Sequence, residues 1–133
     1  MSLGRVDHTG IAVSDLDAAL SRYAGLMPPA FVERLRVPDQ KVEVAFLRFG
    51  DSAVELIQPE SEDSPVARFL ARRGEGLHHL AFEVSDVRAE LSRLAAAGAE
   101  LIDTEPRRGA HGLVAFVHPR SVGVLVELVQ HDS

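Results

Sequence analysis

Two rhythms of apolar residues follow one another along the chain, and the succession occurs twice. Val6 to Val13 reads as a strand, after which Ser14 or Asp15 can accept the free N–H groups that open a helix. Leu16, Ala19, Leu20 and Tyr23 then recur at helical spacing until Gly25 and the Pro28-Pro29 pair end the run. Segments 41–49 and 53–58 alternate or run apolar around Gly50-Asp51, the pattern of a hairpin. The plan returns as a strand at 77–84, a helix at 86–97 ended by Gly98, and strands near 100–103, 112–117 and 123–130. Between the two, Ser64-Pro65 has the form of a helix start, with Val66, Phe69 and Leu70 on one face.

The recurrence extends to the letters. His8-Thr9-Gly10-Ile11-Ala12-Val13-Ser14-Asp15-Leu16 lines up with His79-Leu80-Ala81-Phe82-Glu83-Val84-Ser85-Asp86-Val87, and Leu20-Ser21-Arg22 with Leu91-Ser92-Arg93. Each half closes on nearly the same phrase, Val54-Glu55-Leu56-Ile57-Gln58 and Val126-Glu127-Leu128-Val129-Gln130. The interval from His to Glu agrees to within a residue. The expected organisation is α+β: one domain over 1–133 built of two tandem βαβββ modules, about 4–59 and 76–131, joined by a linker helix at about 64–73.

A chain of 133 residues has the size of one compact unit, and 46% hydrophobic with 26% charged residues is ordinary globular composition. The net charge of −6 disfavours a nucleic-acid surface, which needs clustered cations. No apolar run reaches the ~20 residues that span a bilayer, and no basic-then-apolar signal opens the chain, so a cytoplasmic protein is expected. Met1-Ser2-Leu3 is compatible with a cloning remnant and carries no weight. Cysteine is absent, which excludes disulfides, thiolate zinc sites and cysteine nucleophiles. Any metal must sit on His, Asp or Glu.

Those residues stand where a metal would need them. Side chains alternate along strands, so His8 and Glu55 can face one concave surface of a curved sheet, and a two-fold relation would bring His79 and Glu127 to the same place. Two imidazoles and two carboxylates suit a borderline divalent ion such as Zn, Ni, Co or Mn, with positions left for water or substrate. Singly, each residue is more often structural. Burying Glu55 and Glu127 within apolar strands without a cationic partner is costly, and the arrangement occurs twice, so the metal reading is preferred. Glu43 lies within Val42-Glu43-Val44-Ala45-Phe46 and reads either as a solvent-facing strand residue or as a general base inside the cup; periodicity does not choose. His78 and His79 point to opposite faces of a strand, and His79 is the one in register with His8. His111 and His118 lie in or beside loops and read as substrate-side or structural.

The paired modules with His8, Glu55, His79 and Glu127 resemble the vicinal oxygen chelate superfamily, which includes glyoxalase I, extradiol dioxygenases, bleomycin-resistance proteins and methylmalonyl-CoA epimerases. The resemblance covers essentially the whole chain and implies a curved mixed sheet around a central cup. Asp7-His8-Thr9-Gly10-Ile11-Ala12-Val13, Gly76-Leu77-His78-His79-Leu80-Ala81-Phe82 and Ala115-Phe116-Val117-His118-Pro119-Arg120-Ser121, followed by Gly123-Val124-Leu125-Val126-Glu127-Leu128, look most like the epimerases. The stretch from Ser121 to Glu127 is one residue shorter than their pattern, and some of them carry Gln at the place of Glu55.

That resemblance implies a metal-dependent isomerase that inverts methylmalonyl-CoA at C2 through a metal-stabilised enolate. It implies Glu43 as one acid/base and Glu127, also a ligand, as the other, with an acyl-CoA thioester as substrate and a homodimer as the assembly. Arg107, Arg108, Arg120 and His118 are candidate substrate contacts. The rival expectations are a glyoxalase I-type lactoylglutathione lyase, which the four ligands fit equally well, and a metal-free binding protein of the bleomycin-resistance type.

Overall fold

The computed structural model describes residues 3–133; Met1 and Ser2 lie outside the described residues. The first module runs β1 (Val6–Ala12), α1 (Leu16–Leu26), β2 (Phe31–Val37), β3 (Val42–Phe49) and β4 (Ser52–Pro59), followed by α2 (Pro65–Arg73). The second runs β5 (Gly76–Glu83), α3 (Val87–Ala96), β6 (Arg107–Arg108), β7 (Gly112–Val117), α4 (Pro119–Val122) and β8 (Val126–His131). The described chain divides into two compact units, one of residues 8–78 and one of residues 3–7 with 79–133. Residues 3–7 therefore fold with the second unit, where the Gly4 amide donates to Glu83 O and the Glu83 amide to Arg5 O. Among the described residues no helix is long and apolar enough to cross a membrane.

The two strand orders mirror the sequence repeat, β2-β3-β4-β1 in the first module and β5-β8-β7-β6 in the second. In the first, β1 lies parallel to β4 while β2/β3 and β3/β4 are antiparallel. In the second, β5 lies parallel to β8 while β6/β7 and β7/β8 are antiparallel. A parallel pair needs a crossover, and α1 and α3 begin each of them. Asp15 and Asp86 cap these helices by accepting from the amides of Ala18 and Ala89 at 3.0 and 3.1 Å. The amides of Leu16 and Val87 donate to Gln58 Oε1 and Gln130 Oε1 at 2.7 and 2.9 Å, which ties each helix start to the strand that carries the module's glutamate.

Each sheet packs one face against its helix. Leu16 and Ala19 of α1 meet Ala45, Leu47 and Leu56, and Val87 and Leu91 of α3 meet Ala115, Val117, Val126 and Leu128. Ala45, Leu47 and Leu56 match Ala115, Val117 and Leu128 in the repeat, so both modules bury the same strand parity on the helix side. The residues between them, Phe46 and Glu55 in one module and Phe116 and Glu127 in the other, belong to the opposite face, called here the histidine face.

Two stretches depart from the sequence expectation. Residues 100–103 form no strand beyond one bridge, Leu101 to Val117. The Asp103 carboxylate accepts from the Phe116 amide at 2.8 Å, doing with a side chain what a strand carbonyl would do, and Pro106 follows before pairing resumes as β6. The strand expected from 123 starts at Val126, because Pro119–Val122 winds into a helical turn that Gly123 ends at φ +94°. One glycine is fixed by proximity: a Cβ on Gly112 would lie 2.0 Å from Gln130 O.

Candidate metal centre

Each module carries one buried imidazole–carboxylate pair. In the first, His8 Nε2 lies 3.2 Å from Glu55 Oε1, with the two residues 5% and 7% exposed. In the second, His79 Nε2 lies 3.1 Å from Glu127 Oε1, at 6% and 5%. The register explains the pairing, since Glu55 stands on β4 beside β1 and Glu127 on β8 beside β5.

An aromatic ring repeats with them. Phe46 stands directly across β3/β4 from Glu55, and Phe116 across β7/β8 from Glu127. Each meets its histidine edge to face, His8–Phe46 at 5.4 Å and 89° and His79–Phe116 at 5.9 Å and 88° between centroids and planes. Such a contact fixes the ring plane of the imidazole and so the direction of its Nε2. Sequence reasoning singled out the histidines and glutamates but not Phe46 and Phe116, although both occupy the same place in Ala45-Phe46 and Ala115-Phe116.

His8, Glu55, His79 and Glu127 are all buried and offer the nitrogen and oxygen donors that a divalent cation takes. Two buried carboxylates also carry the charge such an ion would neutralise, and an unpaired buried carboxylate is costly. The residues present therefore fit the implied metal.

Glu43 requires a correction. It shares its strand face with Ala45 and Leu47, which pack on α1, and not with Phe46. Its carboxylate takes Arg34 Nε at 2.8 Å, and Arg34 Nη1 continues to Asp17 on α1 at 2.6 Å. Glu43 thus belongs to a surface ion-pair chain on the helix side of its sheet, and it does not reach the face that carries His8 and Glu55. The neighbouring position on that face is Val44, fully buried.

The other singled-out residues divide. Arg107 stands opposite Val114, which clusters with Ala81 and Val129 on the histidine face of the second module. Arg108 points to the other side, opposite Leu113, and pairs with Asp132. Arg120 pairs with Glu100 at 3.2 Å. His118 caps α4, its Nδ1 accepting from the Arg120 amide at 3.0 Å. His111 stacks on His131 with centroids 6.2 Å apart, and His78 meets Phe69 edge-on at 4.9 Å, on the face opposite His79.

The model of the Glyoxalase/Bleomycin resistance protein/Dioxygenase superfamily matches residues 7–117. The uncharacterized protein YqjC of Bacillus subtilis (strain 168) is 44% identical over 130 residues, covering 96% of this chain and 93% of its own. An ethylmalonyl-CoA/methylmalonyl-CoA epimerase of Cereibacter sphaeroides is 40% identical over 132 residues, covering 96% of this chain and 98% of its own. The structure of a methylmalonyl-CoA epimerase in complex with methylmalonyl-CoA and NH4+ is similar with a TM-score of 0.90 at 39% identity, over 96% of this chain and 94% of the other. With the family model spanning most of its length and its paired His/Glu modules in place, the chain belongs to the glyoxalase/bleomycin resistance protein/dioxygenase superfamily.

Proposed function

We propose that the protein is a metal-dependent epimerase of methylmalonyl-CoA or a close 2-substituted malonyl thioester. The observation that carries this reading is the pair of buried His/Glu couples in a chain about 40% identical to a named epimerase over nearly its full length. One couple offers a cation only two donors, fewer than a stable site uses, so the duplicated couples are read as sharing one ion. When bound, a divalent cation supplies electrostatic stabilisation of the negative charge that proton removal spreads onto the thioester oxygen, several kcal/mol in size.

The chain's own residues then divide the remaining work. His8 and His79 hold their imidazoles in fixed planes against Phe46 and Phe116 and would contribute the nitrogen donors. The C2 hydrogen lies between a thioester and a carboxylate, and its inversion needs a proton taken from one side and returned to the other. Glu43 being on the helix face, the buried carboxylates paired with the histidines are Glu127 and Glu55, one per module. A carboxylate oxygen of Glu127 takes the proton, and Glu55 returns one to the opposite side.

The test is loss of deuterium from C2-deuterated methylmalonyl-CoA, measured beside a lactoylglutathione assay and a metal analysis of the purified protein. The expected result is washout of label, one divalent ion per chain, and a melting temperature lowered by chelator. An ion bound only to the folded state at a hundred times its Kd adds about 2.7 kcal/mol. An inert thioester with an active hemithioacetal would move the assignment to a lactoylglutathione lyase. Absence of metal with no response to chelator would favour a metal-free binding protein.

A further inference from the structure

Among the positions at which the histidine faces of the two modules differ, one stands beside the aromatic ring. Beside Phe46 in the first module, Val44 stands opposite Leu35. Beside Phe116 in the second, the matching Val114 stands opposite Arg107. An apolar residue in one half is thus replaced by a guanidinium in the other.

That guanidinium is held in an unusual state. Its carbon lies 5.7 Å from the centre of the Phe116 ring, whose edge-on partner is His79 at 5.9 Å. Arg107 Nε is 3.2 Å from Asp103 Oδ1, an ion pair, yet Nε is buried and makes no hydrogen bond. Asp103 Oδ2 is already taken by the Phe116 amide at 2.8 Å. Among the described residues no acceptor completes a hydrogen bond to this guanidinium, while 39% of the side chain stays open to solvent. Asp103 and Phe116 hold the group in place without using its hydrogen-bonding capacity. The four donors on the two Nη atoms, one aromatic ring away from His79, match a carboxylate in geometry and charge.

We propose that Arg107 receives the free carboxylate of the acyl group, which restricts the site to thioesters whose acyl chain carries a second acid. This rests on the function proposed above and adds the residue that selects the substrate class. Coenzyme A phosphates offer the same chemistry, but the pantetheine arm separates them from the thioester by far more than the width of one ring. The carboxylate beside C2 is the anion carried next to the reacting carbon, and it is the one assigned to Arg107.

Two variants separate charge from packing: Arg107→Leu installs the residue found at the matching place in the first module, and Arg107→Lys keeps the charge without the fork. Malonate and propionate are titrated against the purified, metal-loaded protein by thermal shift, which needs no turnover. Malonate is expected to bind at least tenfold more weakly to Arg107→Leu than to the parent, with Arg107→Lys between them and propionate unchanged. With methylmalonyl-CoA, KM is expected to rise in the same order while the affinity for propionyl-CoA and for coenzyme A stays constant.

Equal malonate binding in the parent and Arg107→Leu, both folded by circular dichroism, would overturn the proposal and leave the proposed function standing. A loss of affinity for coenzyme A as large as that for malonate would also overturn it, by making a phosphate the ligand. Arginine-dependent malonate binding without any deuterium exchange would uphold the anion site and refute the epimerase reading.

Discussion

Replacing Glu43 by Gln is the sharpest probe of how the strands direct their side chains. If Glu43 were the general base, its loss would cost about 10²–10⁴ in rate, or roughly 3–5 kcal/mol of barrier. The structure predicts far less. Glu43 lies across the sheet from the histidine face, on the order of 10 Å from it, and a unit charge at that range through solvent-like dielectric is worth about 0.4 kcal/mol. Arg34, 2.8 Å from the carboxylate, cancels much of even that field. The expected change in deuterium washout from C2 is therefore less than about threefold. The Glu43 and Arg34 side chains are 20% and 40% exposed, so melting should shift only slightly. The assay is single-turnover washout of the C2 label, with metal content measured in the same samples. A hundredfold slower exchange in a folded, metal-replete Glu43→Gln protein would refute the assignment of faces.

Two further outcomes test the frame around the site. Gly112→Ala forces a Cβ to within 2.0 Å of Gln130 O, so the β7/β8 pairing must spread, and a lower urea midpoint is expected, equivalent to about 2 kcal/mol or more. Glu75 accepts from the Ser14 amide at 2.8 Å and from Ser14 Oγ at 3.0 Å, and these bonds, the amide first, hold its pKa below the ordinary 4.5. A depressed carboxyl stabilises the fold above its unfolded pKa and loses that contribution as pH falls through the folded one. Glu75→Gln should thus be less stable than the parent at pH 7, with the difference closing in acid. A gap that persists unchanged at pH 3 in urea titrations would contradict the assignment.

The repeat made much of this legible. The phrases ending in Glu55 and Glu127 and those opening on His8 and His79 stand on neighbouring strands in both modules because the same words fold the same way. The direction of Glu43 was legible too, given the hairpin register. Gly50, at φ +61°, and Asp51 make a two-residue turn, which sets Phe46 opposite Glu55 and Glu43 opposite Gln58. Gln58 and Glu55 differ in parity, so Glu43 had to face away from Glu55. The period of an isolated strand cannot supply that relation, because it says which residues share a side but not which side is which. The span 100–103 was misread for a different reason. Its apolar residues resemble a strand, yet the Asp103 side chain takes the Phe116 amide, and no apolar pattern registers such a substitution. Arg107, finally, was indistinguishable from Arg108 in the sequence, and only their partners across β7 tell them apart.

The glutamines at the helix starts have a consequence for working range. Gln58 and Gln130 each lie three residues beyond a buried glutamate and grip the first-turn amide of α1 or α3. A carboxylate there would accept the same bond and draw added benefit from the helix dipole, but would weaken its hold once protonated. A carboxamide has no proton to gain over that range. The joints between helix and strand in both halves are thereby insulated from acidity, so their grip stays constant while the acidic groups nearby load and unload protons.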